Sequence, residues 1–172
     1  MTNLLILDTL SIRDFGAAGL LPAISRLSFR VTTTSTAYLQ NPFPAAFTNA
    51  PLEAGKIYIT TLSSAELYHA YQVSSTLPGL TLADYSALYL AARDGGTLVT
   101  VDPCILKAAD LMNLNVCNYS QLLDHLVNVG IISRQLSIRH YLPLLGKIDA
   151  LSRPKEKQPF GDPDLMNKER LA

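Results

Sequence analysis

The sequence predicts an α/β fold in which a mostly parallel β-sheet is flanked by helices, with a helical pair at the C-terminal end. Two observations predict it. Short apolar or β-branched runs alternate with helical patterns, and short loops connect them, as is typical of largely parallel sheets. The chain also has 172 residues and 48% hydrophobic content, which is enough to bury one core.

Five segments have the composition of β-strands. Each is a short run of apolar or β-branched residues, the kind that fits a buried sheet. These runs cover residues 4–7 (LLIL), 29–34 (FRVTTT), 56–61 (KIYITT), 97–101 (TLVTV) and 115–117 (NVC).

Two helices are predicted between the third and fourth strands. Ser63 and Glu66 have the S-x-x-E spacing of a capping box, in which each residue satisfies a backbone N–H group of the other. The next helix begins with Thr81 and Asp84 at the same spacing. It ends at a Gly-Gly pair, residues 95–96, where a left-handed residue can stop a helix.

Helix signals also follow the fourth strand. Pro103 suits the first position of a helix, which makes Asp102 the N-cap. Residues 120–130 and 133–146 each open on serine and close on glycine, which predicts the C-terminal helical pair.

Composition excludes several classes of protein. Lys plus Arg and Asp plus Glu both total 14, so composition shows no strongly basic nucleic-acid surface. The two cysteines, Cys104 and Cys117, form no CxxC pair and suggest no disulfide framework. The first apolar run ends at Asp8, too short for a signal peptide, and no apolar stretch approaches the length of a membrane span. We therefore expect a soluble, cytoplasmic protein.

The C-terminal end differs in composition from the rest of the chain. The last 20 residues hold nine of the 28 charges and three of the ten prolines. Such a segment buries little apolar surface. We therefore predict one domain over residues 1–150 and a charged, extended tail over residues 151–172.

Carboxylates follow two predicted strands. Asp8 comes directly after the first strand and Asp102 directly after the fourth, and function collects at the carboxyl ends of strands in parallel sheets. Helix starts explain Asp84 and Asp102, but we expect no capping role for Asp8, which then needs a partner. Acids that share one edge of a sheet repel each other, and a hard divalent cation is the usual remedy.

Three segments resemble a PIN domain: LLILDT, LTLADYSALYLAARDGGTLVTVDPCILKAADLMNLNV and LLDHLVNVGIIS, within about residues 4–150. The most specific part pairs LADYSALYLA with LVTVD, and their two acids lie 18 residues apart. By this resemblance, Asp8, Asp84 and Asp102 match three metal-site acids, and Thr100 matches the hydroxyl residue of the T-x-D motif.

The resemblance implies an endoribonuclease that uses Mg²⁺ or Mn²⁺ to hydrolyse single-stranded RNA. The three aspartates would hold the metal, and Thr100 would orient a carboxylate. Many PIN proteins are toxins of toxin–antitoxin pairs. An antitoxin protein and a second copy of the chain are therefore implied partners, and a membrane is not.

Two positions depart from the family pattern. Leu10 stands where the first motif, D-T-N, has an amide, and Gln40 is the nearest counterpart of the Glu that follows the second strand. Glu66 lies only 18 residues before Asp84, whereas the family has a longer gap between its corresponding acids. The capping box accounts for a glutamate at this position.

These departures favour an alternative, a PIN-fold protein that has lost catalysis and acts by binding RNA or protein. A receiver-like signalling domain is less favoured. It needs an acid after the third strand for phosphorylation, and YITTLSS has none.

Overall fold

The structure, a computed structural model, describes residues 3–40, 56–74 and 79–139, without the side chains of residues 73 and 74. Its strands form one all-parallel sheet, in the spatial order β3-β2-β1-β4-β5. The predicted parallel α/β fold is therefore confirmed. The strands are β1 (Leu4–Leu7), β2 (Arg30–Thr34), β3 (Ile57–Thr60), β4 (Thr97–Val99) and β5 (Asn115–Cys117).

Helices connect these strands. They are α1 (Thr9–Ala17), α2 (Leu21–Ile24), α3 (Ser35–Leu39), α4 (Ser64–Ser74), α5 (Leu82–Asp94), α6 (Pro103–Leu111) and α7 (Tyr119–Asn128). Residues 134–139 are also helical and belong to the second helix of the predicted C-terminal pair. The rest of that helix and the tail at 151–172 lie outside the described residues, so the tail and the domain boundary stay predictions.

The ends of α5 agree with the predicted capping signals, whereas the start of α7 does not. Thr81 and Asp84 form the predicted capping box of α5, and Gly95 ends that helix with a left-handed φ of 65°. The start of α7 differs from the prediction at Ser120. Asn118 caps it, because Asn118 and Gln121 accept hydrogen bonds from each other's backbone N–H groups at 2.9 Å.

The sheet has an apolar layer on each face, and β1 contributes to both. Leu5 and Leu7 pack with α1, α2 and α7, whereas Ile6 packs with α4, α5 and α6. Alternate residues of a strand point to opposite faces, so a strand covered on both sides is apolar throughout. The position of β1 between two helical layers thus explains why all four residues of LLIL are apolar.

The strand order reverses between β1 and β4. After β1 the chain enters α1 on one face of the sheet, and after β4 it enters α6 on the other. Connections that leave in opposite directions open a crevice at the carboxyl ends of the two strands. Leu7 pairs with Val99 in register, so Asp8 and Thr100 follow side by side at this crevice.

Among the residues that the structure describes, the helices lack the length and apolar character that a membrane span requires.

Candidate functional site

Asp8 lies at the carboxyl end of β1 and is fully buried. Its Oδ1 accepts a hydrogen bond from the Ser11 backbone N–H at 2.6 Å, which makes Asp8 the N-cap of α1. Its Oδ2 accepts one from Thr100 Oγ1 at 2.5 Å. The expectation that Asp8 has no capping role is therefore wrong, because α1 starts at the residue that follows it.

The buried position makes the charge of Asp8 costly. Loss of hydration raises its pKa to about 6, against the hydrogen bonds from Ser11 and Thr100, which lower it. The negative charge of Asp84 makes the smallest contribution to this raised pKa. A carboxyl group perturbed by burial and by a charged neighbour, in a crevice, is a candidate functional group.

Asp84 lies in the first turn of α5 and is half-buried. Its Oδ2 accepts hydrogen bonds from the Thr81 backbone N–H at 2.7 Å and from Thr81 Oγ1 at 2.8 Å. These capping bonds use only one oxygen of the carboxylate. Asp84 therefore caps its helix and acts electrostatically on Asp8 at the same time.

Asp102 is the N-cap of α6, as predicted, and is half-buried. Its Oδ1 accepts from the backbone N–H groups of Cys104 at 2.7 Å and Ile105 at 3.2 Å. Thr100 links it to Asp8, because Thr100 Oγ1 donates to the Asp8 carboxylate and accepts from the Asp102 N–H at 3.1 Å. The T-x-D motif thus joins the ends of β1 and β4.

The capping role of Asp102 can be separated from its charge by two substitutions. We expect Asp102→Ala to lower the free energy of unfolding by about 1 kcal/mol, because α6 loses its cap. Asp102→Asn should change the free energy of unfolding by only a few tenths of a kcal/mol, since asparagine caps equally well. Urea unfolding of both variants beside the wild type measures this. Equal losses in both variants would contradict the capping assignment.

Glu66 does not belong to this site. It closes the capping box of α4, where Oε2 accepts from the Ser63 backbone N–H at 2.8 Å, and its Oε1 pairs with Arg93 Nη1 at 2.6 Å. The Ser63 hydrogen bonds and Arg93 lower the pKa of Glu66 to about 2. Arg93 is near the end of α5, about 13 Å along the helix from Asp84. The pair therefore lies away from the carboxylate edge.

The two departures from the family motif keep their sequence positions in the fold. Gln40 is the exposed C-cap residue of α3, the helix that follows β2. Leu10 is half-buried in the first turn of α1. By the PIN resemblance, these two positions would carry a fourth carboxylate and the amide of D-T-N.

The three aspartates do not form a ready-made metal cage. Over residues 3–40, 56–74 and 79–139, no group of three or more His, Cys, Asp or Glu side chains is placed to hold a metal ion. The donors nevertheless suit Mg²⁺, which prefers oxygen and is often held by one or two carboxylates together with waters and substrate phosphates.

Neither a protein-family model nor a curated protein matches this chain. The PIN resemblance therefore stays a prediction from the motifs.

Hydroxyl groups hold α3 and α5 at the same edge, and those of Thr34 and Ser86 belong to buried residues. Thr34 Oγ1 lies 2.8 Å from Ser86 Oγ, and Thr36 Oγ1 lies 2.5 Å from it. Ser86 is two residues after Asp84, so these contacts fix the start of α5 against the end of β2. No local sequence pattern indicates these contacts, because serine and threonine carry no sign of burial in a single sequence.

A second set of buried polar residues lies on α1 and at the start of α7. Ser11, Asp14 and Tyr119 are all buried, and Tyr119 is part of an apolar cluster. The spacing of Asp8, Ser11 and Asp14 is the available signal, since residues three apart share one face of a helix. Tyr119 gives no such signal, because it is 105 residues from Asp14.

Proposed function

We propose that the protein is a Mg²⁺- or Mn²⁺-dependent endoribonuclease of PIN type, with its site at the carboxyl ends of β1 and β4. Asp8 is the observation that carries this proposal. It is a fully buried acid with its pKa raised to about 6, at the point where the strand order reverses. Asparagine or serine would cap α1 equally well without a buried charge, so capping alone does not explain an acid here.

The residues of the chain have distinct roles in this proposal. Asp8 and Asp84 would hold the cation, with Asp102 at the rim, and Thr100 keeps Oδ2 of Asp8 in a fixed orientation. When bound, the metal supplies a water of lowered pKa and stabilises charge on the phosphate. Single-stranded RNA is the proposed substrate. An antitoxin protein, a second copy of the chain and a cytoplasmic location complete the proposal, on the PIN resemblance.

The test compares two carboxylates that occupy the same kind of position. Asp84 and Glu66 each close a capping box, on α5 and α4, but only Asp84 acts on Asp8. We expect Asp84→Asn to slow Mn²⁺-dependent cleavage of labelled single-stranded RNA by at least about 100-fold, since a ligand matters at least as much as its supporting residues. Glu66→Gln should cleave at the wild-type rate.

The cleavage assay is run with Mn²⁺ and with EDTA, and both variants are first shown to unfold cooperatively. Cleavage that persists in EDTA, or equal rates for Asp84→Asn and Glu66→Gln, would contradict the proposed site.

The second candidate function is binding without catalysis. Two observations favour it: the described residues hold no group of three or more metal ligands, and Gln40 stands exposed where the family has a glutamate. In this case the wild type binds RNA or a protein partner equally well with Mn²⁺ and with EDTA, and the RNA stays intact.

A further inference from the structure

The helical layer that contains α4, α5 and α6 has a cavity of about 320 Å³. Tyr85, Tyr89 and Ala92 lie along one face of α5, at intervals of four and three residues, and form one part of its lining. His69 of α4 and Met112, the C-cap residue of α6, form another part. The lining is mostly apolar with a few polar groups, and both its size and its composition are typical of small-molecule sites.

Aromatic rings give the cavity its shape. His69 and Tyr89 meet edge to face, with ring centroids 5.8 Å apart and an interplanar angle of 74°. A flat ligand can stack on one of two nearly perpendicular rings and meet the edge of the other, and both are arrangements that aromatic pairs prefer. The thioether of Met112 adds a group that makes favourable contacts with ring edges. The lining therefore favours a flat aromatic ligand.

The cavity reaches the surface. Tyr85 is only 6% exposed, but His69, Ala92 and Arg93, which also line the cavity, are exposed residues. The side chain of Ala92 is a single methyl group, which leaves room beside it. A ligand can therefore enter from solvent while the helices stay packed.

The charge of Arg93 is already balanced by neighbouring acids. Its Nε donates to Asp94 Oδ1 at 2.7 Å, and its Nη1 donates to Glu66 Oε1 at 2.6 Å. An anionic ligand would have to compete with these two carboxylates for the guanidinium group. A cationic ligand finds no carboxylate among the described residues that line the cavity. Because a charge that leaves water without a partner is costly, the lining favours a neutral ligand.

We propose that this cavity binds a neutral small molecule with a flat aromatic ring, which lies between His69, Tyr89 and Met112. The inference goes beyond the proposed function, because the described residues that line the cavity are not those of the proposed metal site.

The test uses indole as a neutral aromatic probe and the full chain as the receptor. NMR titration is expected to give a dissociation constant of about 1 mM or lower, which is reasonable for a ligand of this size. Indole-3-acetate and tryptamine carry the same ring with a negative or a positive charge. Both should bind at least about tenfold more weakly than indole.

Two exposed alanines provide a matched pair of variants. Ala92→Phe fills the cavity from its open side and should raise the indole dissociation constant at least about tenfold. Ala65→Phe makes the same change on α4, outside the described lining, and should bind indole as the wild type does. Tyr89→Leu keeps an apolar side chain but removes the ring, and should raise the dissociation constant about fivefold.

Three results would overturn this inference. The first is a wild-type dissociation constant for indole above about 10 mM. The second is equal affinity in Ala92→Phe and Ala65→Phe, which would place the probe elsewhere on the protein. The third is tighter binding of either charged analogue than of indole. All three leave the proposed ribonuclease site untouched, because the titration contains neither metal nor RNA.

Discussion

Replacing Asp8 by asparagine is expected to stabilise the protein at pH 7.5 by about 2 kcal/mol in the presence of EDTA. The pKa of the buried carboxyl group is about 6, whereas that of an exposed aspartate is about 3.9. Two pKa units correspond to about 3 kcal/mol, and asparagine loses part of this gain because its amide matches Thr100 less well. Asparagine keeps the cap on α1.

The pH dependence has a definite sign. Between pH 4 and 6 the folded state binds a proton at Asp8 that the unfolded state has released. The wild-type free energy of unfolding is therefore highest below about pH 4, falls up to about pH 6, and this contribution is constant above that. The variant lacks the group, so its stability relative to the wild type rises by about 3 kcal/mol over this range, from about 1 kcal/mol below the wild type at pH 4 to about 2 kcal/mol above it at pH 7.5.

Urea unfolding at four pH values from 4 to 7.5 checks this prediction. Asp110→Asn, at an exposed position on α6, is the control for a general change in charge. A stability difference between wild type and Asp8→Asn that does not vary with pH would show that the carboxyl group carries no burial cost. Addition of Mn²⁺ should stabilise the wild type and not the variant, if Asp8 binds the cation.

Replacing Thr100 by valine should have the largest destabilising effect at the site, about 3 kcal/mol. Valine has nearly the shape of threonine but no hydroxyl. It removes the hydrogen bond to Asp8 Oδ2, a charged acceptor, and it leaves the Asp102 backbone N–H without its acceptor. Asp8 and Thr100 are fully buried, and Asp102 is half-buried.

Two companion variants isolate this effect. Thr100→Ser keeps the hydroxyl and should cost only about 1 kcal/mol, for the lost methyl group. Thr33→Val removes another buried hydroxyl, which donates to the neutral Leu7 carbonyl at 2.8 Å, and should also cost about 1 kcal/mol. If Thr100→Val lowers the free energy of unfolding no more than Thr33→Val does, the hydrogen bond to Asp8 contributes no more than one to a neutral acceptor.

Periodic and capping signals predicted most of the fold. The first and fifth strands have the predicted limits, and the caps at Thr81 and Asp102 are those that the sequence indicated. The fourth strand ends at Val99 rather than residue 101. The Thr100 N–H still donates to the Cys117 carbonyl at 3.2 Å, but Asp102 already caps α6.

The candidate site was predicted less completely. The resemblance named Asp8 and Thr100, and the structure brings these two into direct contact. The capping role of Asp8 was missed because α1 begins without a proline or a break after the strand. Tyr119 was missed for a different reason: its partners are brought to it by the packing of α7 on α1, which no local pattern encodes.

The contact between Asp8 and Thr100 also bears on synthesis. It spans 92 residues, and the bond from Ser11 to Val99 spans 88. Contacts between such distant segments form late, after most of the intervening chain has been ordered. A nascent chain that does not yet include β4 therefore contains Asp8 but not Thr100, which donates a hydrogen bond to it. On the proposed function, nuclease activity should appear only once the chain has left the ribosome beyond this strand, so nascent fragments stay harmless to nearby RNA.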